Sequence, residues 1–578
     1  MTDLDYLRLS KPAKMLYKLR QFFVNLPKAI VNALKGLMMW FVNVFKGVGR
    51  ELYDIFDTYR KGDWKTRVSY TVMGFGSMAR GQWLRGVLFF VFQTVFNLYL
   101  FCFGGGYLSK LPTLGTVETH KEGRKTVYGD NSFLILLYGV LTIFFVLAFI
   151  YTWRVNVKQN KLAEQYLKSG KKLKTAKQDM ASLLDDQFHK TLLALPTLGV
   201  VAFTILPIIF MILVAFTNYD NTHQPPGKLF TWVGMENFNT LLRSTDEPLT
   251  VEVQEGADGS LTLTINAKNG DILTANTTDK DGVDAIQALI ADGQGEFAIE
   301  EHEGKAATLT FYGSTNESVV LEATGYNAVS TPSMSQTFKQ VLFWTLTWAF
   351  FATFLNYFLG MLVAIMINKK GIKFKKLWRT ILVMTIAIPQ FISLLYVSKM
   401  FAADGLVNST LMNWGWIKTP LPFWTDPTWA KVTIICINIW IGIPYLMLIA
   451  TGILMNIPAD LYESARIDGA NAFQTYTKIT LPYMLFVTGP YLLTSFTGNI
   501  NNFNVIYLLS QGKPLSMGLA GNAGSTDLLI TWLYKMTVTD SNYKLAAVMG
   551  ILVFVVCAVI NLVVYNLIPS VKNEEDFQ

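Results

Sequence analysis

The sequence predicts an all-α polytopic membrane protein of about eight transmembrane helices, with one small β-rich insert. Three observations carry that expectation. Of 578 residues, 51% are apolar and 16% charged, with a mean hydropathy of +0.33; a soluble chain usually carries about 25% charge. The apolar residues gather into eight stretches, near 84–104, 132–153, 191–217, 340–367, 380–401, 431–455, 483–509 and 544–567. Each approaches the roughly 20 residues that a helix needs to cross a bilayer. One segment, 247–330, breaks the pattern altogether.

Within hydrocarbon each stretch must be helical, because unpaired backbone groups are too costly there. Basic residues orient the spans. Segment 154–190 carries nine Lys/Arg against four acids, and segment 368–379 carries six and no acid. Both are expected on the cytoplasmic side of a bacterial plasma membrane. Eight spans then leave both termini inside. The basic loop 105–131 (Lys110, Lys121, Arg124, Lys125) runs against the rule and is outvoted.

Ahead of the spans, Lys28, Asn32, Lys35, Asn43, Lys46 and Arg50 recur along one side of a helix, with apolar residues opposite. That spacing predicts an amphipathic helix in the membrane interface, its cations toward anionic headgroups. The insert reads differently. From Asp246 to Tyr326 there are 16 Asp/Glu and 3 Lys. Its alternating runs, such as SLTLTINA and ATLTFYG, are separated by Asp-Gly and Asn-Gly signals of strands and turns. The chain therefore divides into an N-terminal amphipathic region (1–82), spans one to three (83–217), an extracytoplasmic segment (218–336) with its β-rich domain near 247–330, a helical core (337–570) and a tail (571–578).

Several function classes drop out. The net charge of +8 follows membrane topology, so no nucleic-acid partner is expected. Cys102, Cys436 and Cys557 lie in apolar runs without metal-ligand spacing, and no metal site is expected. No G-x-x-x-x-G-K-[ST] loop occurs, so this chain is not itself an ATPase. The four His are scattered, and no nucleophile–base arrangement is visible, so it is expected not to be an enzyme. Spans two, three, six and seven lack Asp and Glu. That counts against the alternative of an ion- or proton-coupled carrier acting alone, which needs buried ionisable groups.

The most specific signal lies between spans six and seven, in a loop at 456–482. Glu463-Ser-Ala-Arg-Ile-Asp468-Gly469-Ala470 is followed by Ile479-Thr-Leu481-Pro482. Pro458 and Asp460 mark a helix start, Gly469 its end, and a second short helix is expected to run to Pro482. This spacing resembles the EAA loop of binding-protein-dependent ABC import permeases, with Ser464 the one departure. The resemblance implies a type I importer permease fold, with Glu463, Ala465, Asp468, Gly469 and Ala470 coupling to a separate ATPase. No cofactor is expected in this chain, ATP being used by that ATPase.

A sugar site can be read from chemistry first. Ser495, Asn499 and Asn502 follow an i, i+4, i+7 spacing, which places them on one face of span seven. Polar side chains at membrane depth line a wet cavity or hold helices together. Asn offers donors and acceptors without charge. Gly442 and Pro444 loosen span six, and Tyr445 can stack on a sugar ring. Motifs AFTNYD (215–220), WVGMENFNTLL (232–242), GIPYLMLIATG (442–452), NINNFNVIYLL (499–509) and TDLL (526–529) extend a second resemblance over 190–245 and 337–570. It is to the maltose/maltodextrin permease family. That resemblance implies sugar contacts at Ile441, Gly442, Tyr445, Ser495, Asn499 and Asn502. It also implies four kinds of partner: a second homologous permease, two ATP-binding-cassette ATPase subunits, an extracytoplasmic sugar-binding protein and an oligosaccharide substrate. Gly498 departs from the aromatic residue of that family.

Overall fold

The computed structural model describes residues 35–36, 38–39, 42–122, 124–185, 187–242, 250–255, 260–266, 272–289, 296–302, 306–312, 318–329, 333–369, 371–516 and 518–567. The chain forms two compact units, Met1–Gly115 with Phe133–Pro207, and Thr116–Ser132 with Ile208–Gln578.

The first unit holds helices α1 (42–61), α2 (Trp64–Thr71), α3 (Trp83–Lys110) and α4 (Ser132–Lys168), and the start of α5 (Phe188–Val214). Helix α4 has 37 residues, far more than a bilayer needs, and its C-terminal third is charged. That third organises what precedes the spans. Glu51 pairs with Arg154 and Lys158, and Asp54 with Lys161, so α1 is bound to α4. The Asp63 side chain caps α2 by accepting from the Thr66 backbone N–H at 2.7 Å. Arg80 donates to Asp63 at 2.6 Å and to Asn160 on α4 at 2.7 Å. Among the residues of the expected interfacial helix, Lys28 and Asn32 lie outside the described residues. The described part is docked on protein through its acids, a use that the basic periodicity did not indicate.

The second unit contains the β-rich insert. A β1–β2 hairpin (His120–Glu122, Lys125–Val127) stands apart from it. Strands β3 (Thr250–Glu255), β4 (Leu261–Asn266), β5 (Ile272–Thr277), β6 (Glu296–His302), β7 (Ala306–Tyr312) and β8 (Ser318–Val329) form one antiparallel sheet in the order β3-β4-β5-β8-β7-β6. After α6 (Glu236–Leu242), helix α7 (Lys280–Leu289) supplies Val283 and Ile286 to a core with Leu263, Ile265, Phe311 and Leu321. Strict alternation puts these apolar residues on one face of the sheet.

The helical core is built from α8 (Met334–Asn368), α9 (Lys375–Ala387), α10 (Gln390–Met400), α11 (Leu406–Asn413), α12 (Pro427–Leu454), α13 (Ala459–Ile467), α14 (Ala472–Ile500), α15 (Phe503–Leu509), α16 (Leu529–Val538) and α17 (Tyr543–Leu567). Among the described residues, α3, α4, α5, α8, α12, α14 and α17 are long and apolar enough to cross a membrane. The stretch expected as one straight span at 380–401 is instead α9 and α10, bent by 93°. Ile388 is extended (ψ 127°) and Pro389 follows, because proline disfavours α geometry in the residue before it. Counting that pair as one span gives eight.

The AFTNYD motif fastens the end of α5 to α17. The Asp220 carboxylate accepts from Lys544 Nζ at 2.7 Å, from the Thr222 hydroxyl at 2.7 Å and from the His223 backbone at 3.0 Å. The rings of Tyr219 and Tyr543 stack at 4.4 Å. A second buried pair, Asp527 with Lys535 at 2.6 Å, ties the TDLL motif to α16.

Candidate functional site

A cavity of about 560 Å³ opens where α9 breaks into α10. One wall is the break itself, from Thr385 to Pro389, with Gln390 and Ser393 at the start of α10. The facing wall is α12, which contributes Asn438, Trp440, Ile441, Gly442 and Tyr445. The lining holds amides, hydroxyls and two aromatic rings, and no charged side chain. That is a surface for a neutral, hydroxyl-rich ligand. The sequence pointed to Ile441, Gly442 and Tyr445, and all three line it. It missed Asn438, Gln390 and Ser393. Asn438 lies four residues ahead of Gly442, on the same helix face, which was the legible signal. Gln390 and Ser393 could be placed only once the span was seen to break.

The residues expected on span seven do something else. Asn499 Nδ2 donates to Thr353 Oγ1 on α8 at 2.9 Å, and its carbonyl accepts from Trp348 Nε1 at 3.1 Å. Ser495 is half-buried on α14. Asn502 is not on the same helical face, because α14 ends at Ile500. Its Oδ1 instead caps α15, accepting from the Val505 N–H at 3.3 Å, while its Nδ2 donates to Asn499 Oδ1 at 3.3 Å. Asn499 belongs to the α8–α14 packing, and none of the three is in the lining of the cavity.

Helix α8 also packs directly on α12. A Cβ added at Gly360 would stand 2.6 Å from the Leu446 Cβ, and one added at Gly442 would stand 2.5 Å from Asn356 Nδ2. Two glycines thus let α8 and the cavity wall approach closely.

The loop between α12 and α14 is a helical elbow. Helix α13 begins after Pro458; no side chain caps it, so Asp460 does not play the capping part expected of it. Its end matches the expectation. Gly469 has φ +71°, the Gly469 N–H bonds the Arg466 carbonyl at 3.1 Å and the Ala470 N–H reaches back to the Ala465 carbonyl at 2.9 Å. This left-handed closure favours glycine. The second limb starts at Asn471, which exchanges two bonds with Gln474 in a capping box. It does not end at Pro482 but runs through a wide turn (Tyr476–Thr480) directly into α14. Proline is tolerated in the first turn of the following segment, so no break results. The Tyr462 and Thr480 hydroxyls join the two limbs at 3.1 Å. Glu463, Asp468 and Gly469 are exposed, Ala470 is half-buried, and Ala465 is buried inside the elbow. Exposed beside them are Ile467 (86%) and Phe473 (74%), large apolar side chains that the motif reading did not single out. Apolar exposure of this size marks a contact surface.

Apolar spans, one of them broken over an uncharged cavity, and a helical elbow between two others define a membrane permease subunit. The chain belongs to the family of binding-protein-dependent transport system inner membrane components, whose profile matches residues 356–573. It is 30% identical to the maltodextrin transport system permease protein MdxF of Bacillus subtilis, over 87% of this chain and 95% of that protein. It is 28% identical to the galactooligosaccharides transport system permease protein GanP of the same organism, over 87% of this chain and 97% of that one. The maltose/maltodextrin permease MalF of Escherichia coli is 35% identical over 39% of this chain and 45% of its own length.

Proposed function

We propose that this chain is the translocating subunit of an ATP-binding-cassette importer for neutral oligosaccharides of the maltodextrin type. An extracytoplasmic binding protein delivers the sugar, and the β-rich insert helps to dock it. A second, homologous permease closes the passage, and two ATPase subunits sit against the elbow. Both termini are cytoplasmic. Glu463, Asp468, Gly469 and the exposed Ile467 and Phe473 form the ATPase contact, with Ala465 and Ala470 shaping it from within. The sugar occupies the cavity at the α9–α10 break, against Asn438, Gly442 and Tyr445, while Asn499 and Asn502 hold the neighbouring wall.

The observation that supports this reading best is the cavity beside the bent helix pair, with uncharged hydrogen-bonding groups and aromatic rings. ATP binding closes the ATPases and moves the elbow, which is continuous with α14, as a rigid body. The relatives named for maltodextrin and for galactooligosaccharides bracket the substrate class. Reconstitution of the complete transporter in liposomes tests it. ATP-dependent uptake of labelled maltotetraose, exceeding that of a β-galactotetraose, is the expected result. Uptake by this chain alone, without ATP or companion subunits, overturns the coupling role.

A further inference from the structure

Among the described residues of the helical core, four buried polar atoms have no hydrogen-bond partner: Ser335 Oγ, Arg379 Nε and two that belong to asparagines. One is Asn356 Oδ1 on α8 and the other is Asn438 Nδ2 on α12; both residues are 7% exposed. An unpaired buried donor or acceptor costs about 1–3 kcal/mol, and lipid offers no water to relieve it. Asparagines that only hold helices together bond each other or the backbone across the contact. The unpaired ends of these two do neither.

Their placement gives the reason. Asn356 Nδ2 donates to the Ala352 carbonyl at 2.8 Å, which fixes the amide and leaves Oδ1 as its free end. That amide fills the space where a side chain at position 442 would stand. Its Nδ2, Cγ and Oδ1 lie 2.5, 2.6 and 2.8 Å from a Cβ built there. Gly442 itself lines the cavity, and so does Asn438, one turn earlier on the same face. The missing side chain therefore brings an acceptor on α8 up against position 442 of the cavity wall, and Asn438, which carries the unpaired donor, lies one turn, about 6 Å, along α12 from that position. A carbonyl could only accept from Asn438, and an ammonium could only donate to Asn356. A hydroxyl does both at once.

We propose that Asn356 is a specificity-determining residue of the passage, its Oδ1 accepting from one hydroxyl of the transported sugar while that hydroxyl accepts from Asn438 Nδ2, one turn along α12 from Gly442. This rests on the oligosaccharide reading above. A bound water carries the same donor and acceptor, so the test must separate the two sources.

The complete transporter in liposomes is offered a panel of neutral oligosaccharides, and the best substrate is then compared with its single-deoxy analogues. For the wild type, one analogue should show a KM raised about tenfold, the usual loss when a polar pocket meets a missing hydroxyl. Asn356→Leu should raise KM for the parent sugar by a similar factor and no longer distinguish that analogue from it. ATP hydrolysis in the absence of sugar should be unchanged. Asn356→Thr, which keeps an acceptor oxygen, should restore the discrimination. If Asn356→Leu fails to assemble, Asn356→Ala replaces it with the same two readings. Wild-type discrimination retained in the apolar variant overturns the proposal and assigns the position to water. A wild type that transports no neutral oligosaccharide overturns the sugar reading and this proposal with it.

Discussion

Replacing Gly360 by alanine should push α8 off the cavity wall. The added Cβ would stand 2.6 Å from Leu446 Cβ and 3.2 Å from the Leu446 carbonyl carbon and the Met447 nitrogen. Non-bonded carbons rest at about 3.5–4.0 Å. Two of the three obstacles are main chain and cannot rotate away, so the helices must separate by about 1 Å. Overpacking of this kind costs about 1–3 kcal/mol, and the better helix propensity of alanine returns about 1 kcal/mol. The same substitution at Gly452 or Gly498, where a new Cβ meets nothing within 4 Å, has only the gain. Thermal unfolding of the three purified variants in one detergent reads the difference. Gly360→Ala should melt below wild type, and Gly452→Ala and Gly498→Ala at or above it. The moved wall carries Tyr445 with it, so sugar KM should rise in Gly360→Ala alone. If Gly360→Ala melts with the other two, the close packing of α8 on α12 does not hold in solution.

The clamp at Asp220 predicts a pH dependence. Burial alone would raise its pKa, but the Lys544 ammonium and the Thr222 and His223 hydrogen bonds overcome that and hold the carboxyl well below the usual range. Its stabilisation is complete above about pH 4, the unfolded value, and is lost only as pH falls toward the lower folded one. Asp220→Asn should therefore lower stability at pH 7 by about 1–3 kcal/mol, and the gap should close as pH falls below 4; a gap that stays undiminished in strong acid contradicts the clamp. Gly469→Asp and Glu463→Lys should insert normally yet separate ATP hydrolysis from uptake, and normal transport by both removes the elbow from coupling. Asn502→Ala should cost about 1 kcal/mol through the lost cap of α15, with Asn502→Asp recovering it; equal melting of both variants argues against capping.

Spans were legible because lipid leaves the backbone one solution, so length and apolarity suffice. The insert was legible because a sheet with one buried face must alternate. The elbow was half legible: Gly469 announced its own left-handed turn, whereas Pro482 looked like a stop and proved to be the first turn of a continuing helix. The single face expected on span seven was not legible, for a different reason. Ser495, Asn499 and Asn502 fit a helical period, but a period holds only while the helix does, and α14 ends before Asn502. Nothing local marks that end, since Ile500 and Asn501 suit either outcome. Asn356 and Asn438 sit singly in apolar runs, and only in three dimensions does the missing side chain of Gly442 bring Asn356 up against the wall that Asn438 lines.

The right-angled corner at Ile388–Pro389 has a consequence beyond shape. Carbonyls and amides released from a helix inside a bilayer need water or another protein for company. A corner there obliges the molecule to keep a damp pocket in the middle of an insulating sheet. Such a pocket is a leak unless its two mouths are never open together. On the proposed function, the same kink obliges the protein to seal one end before it unseals the other.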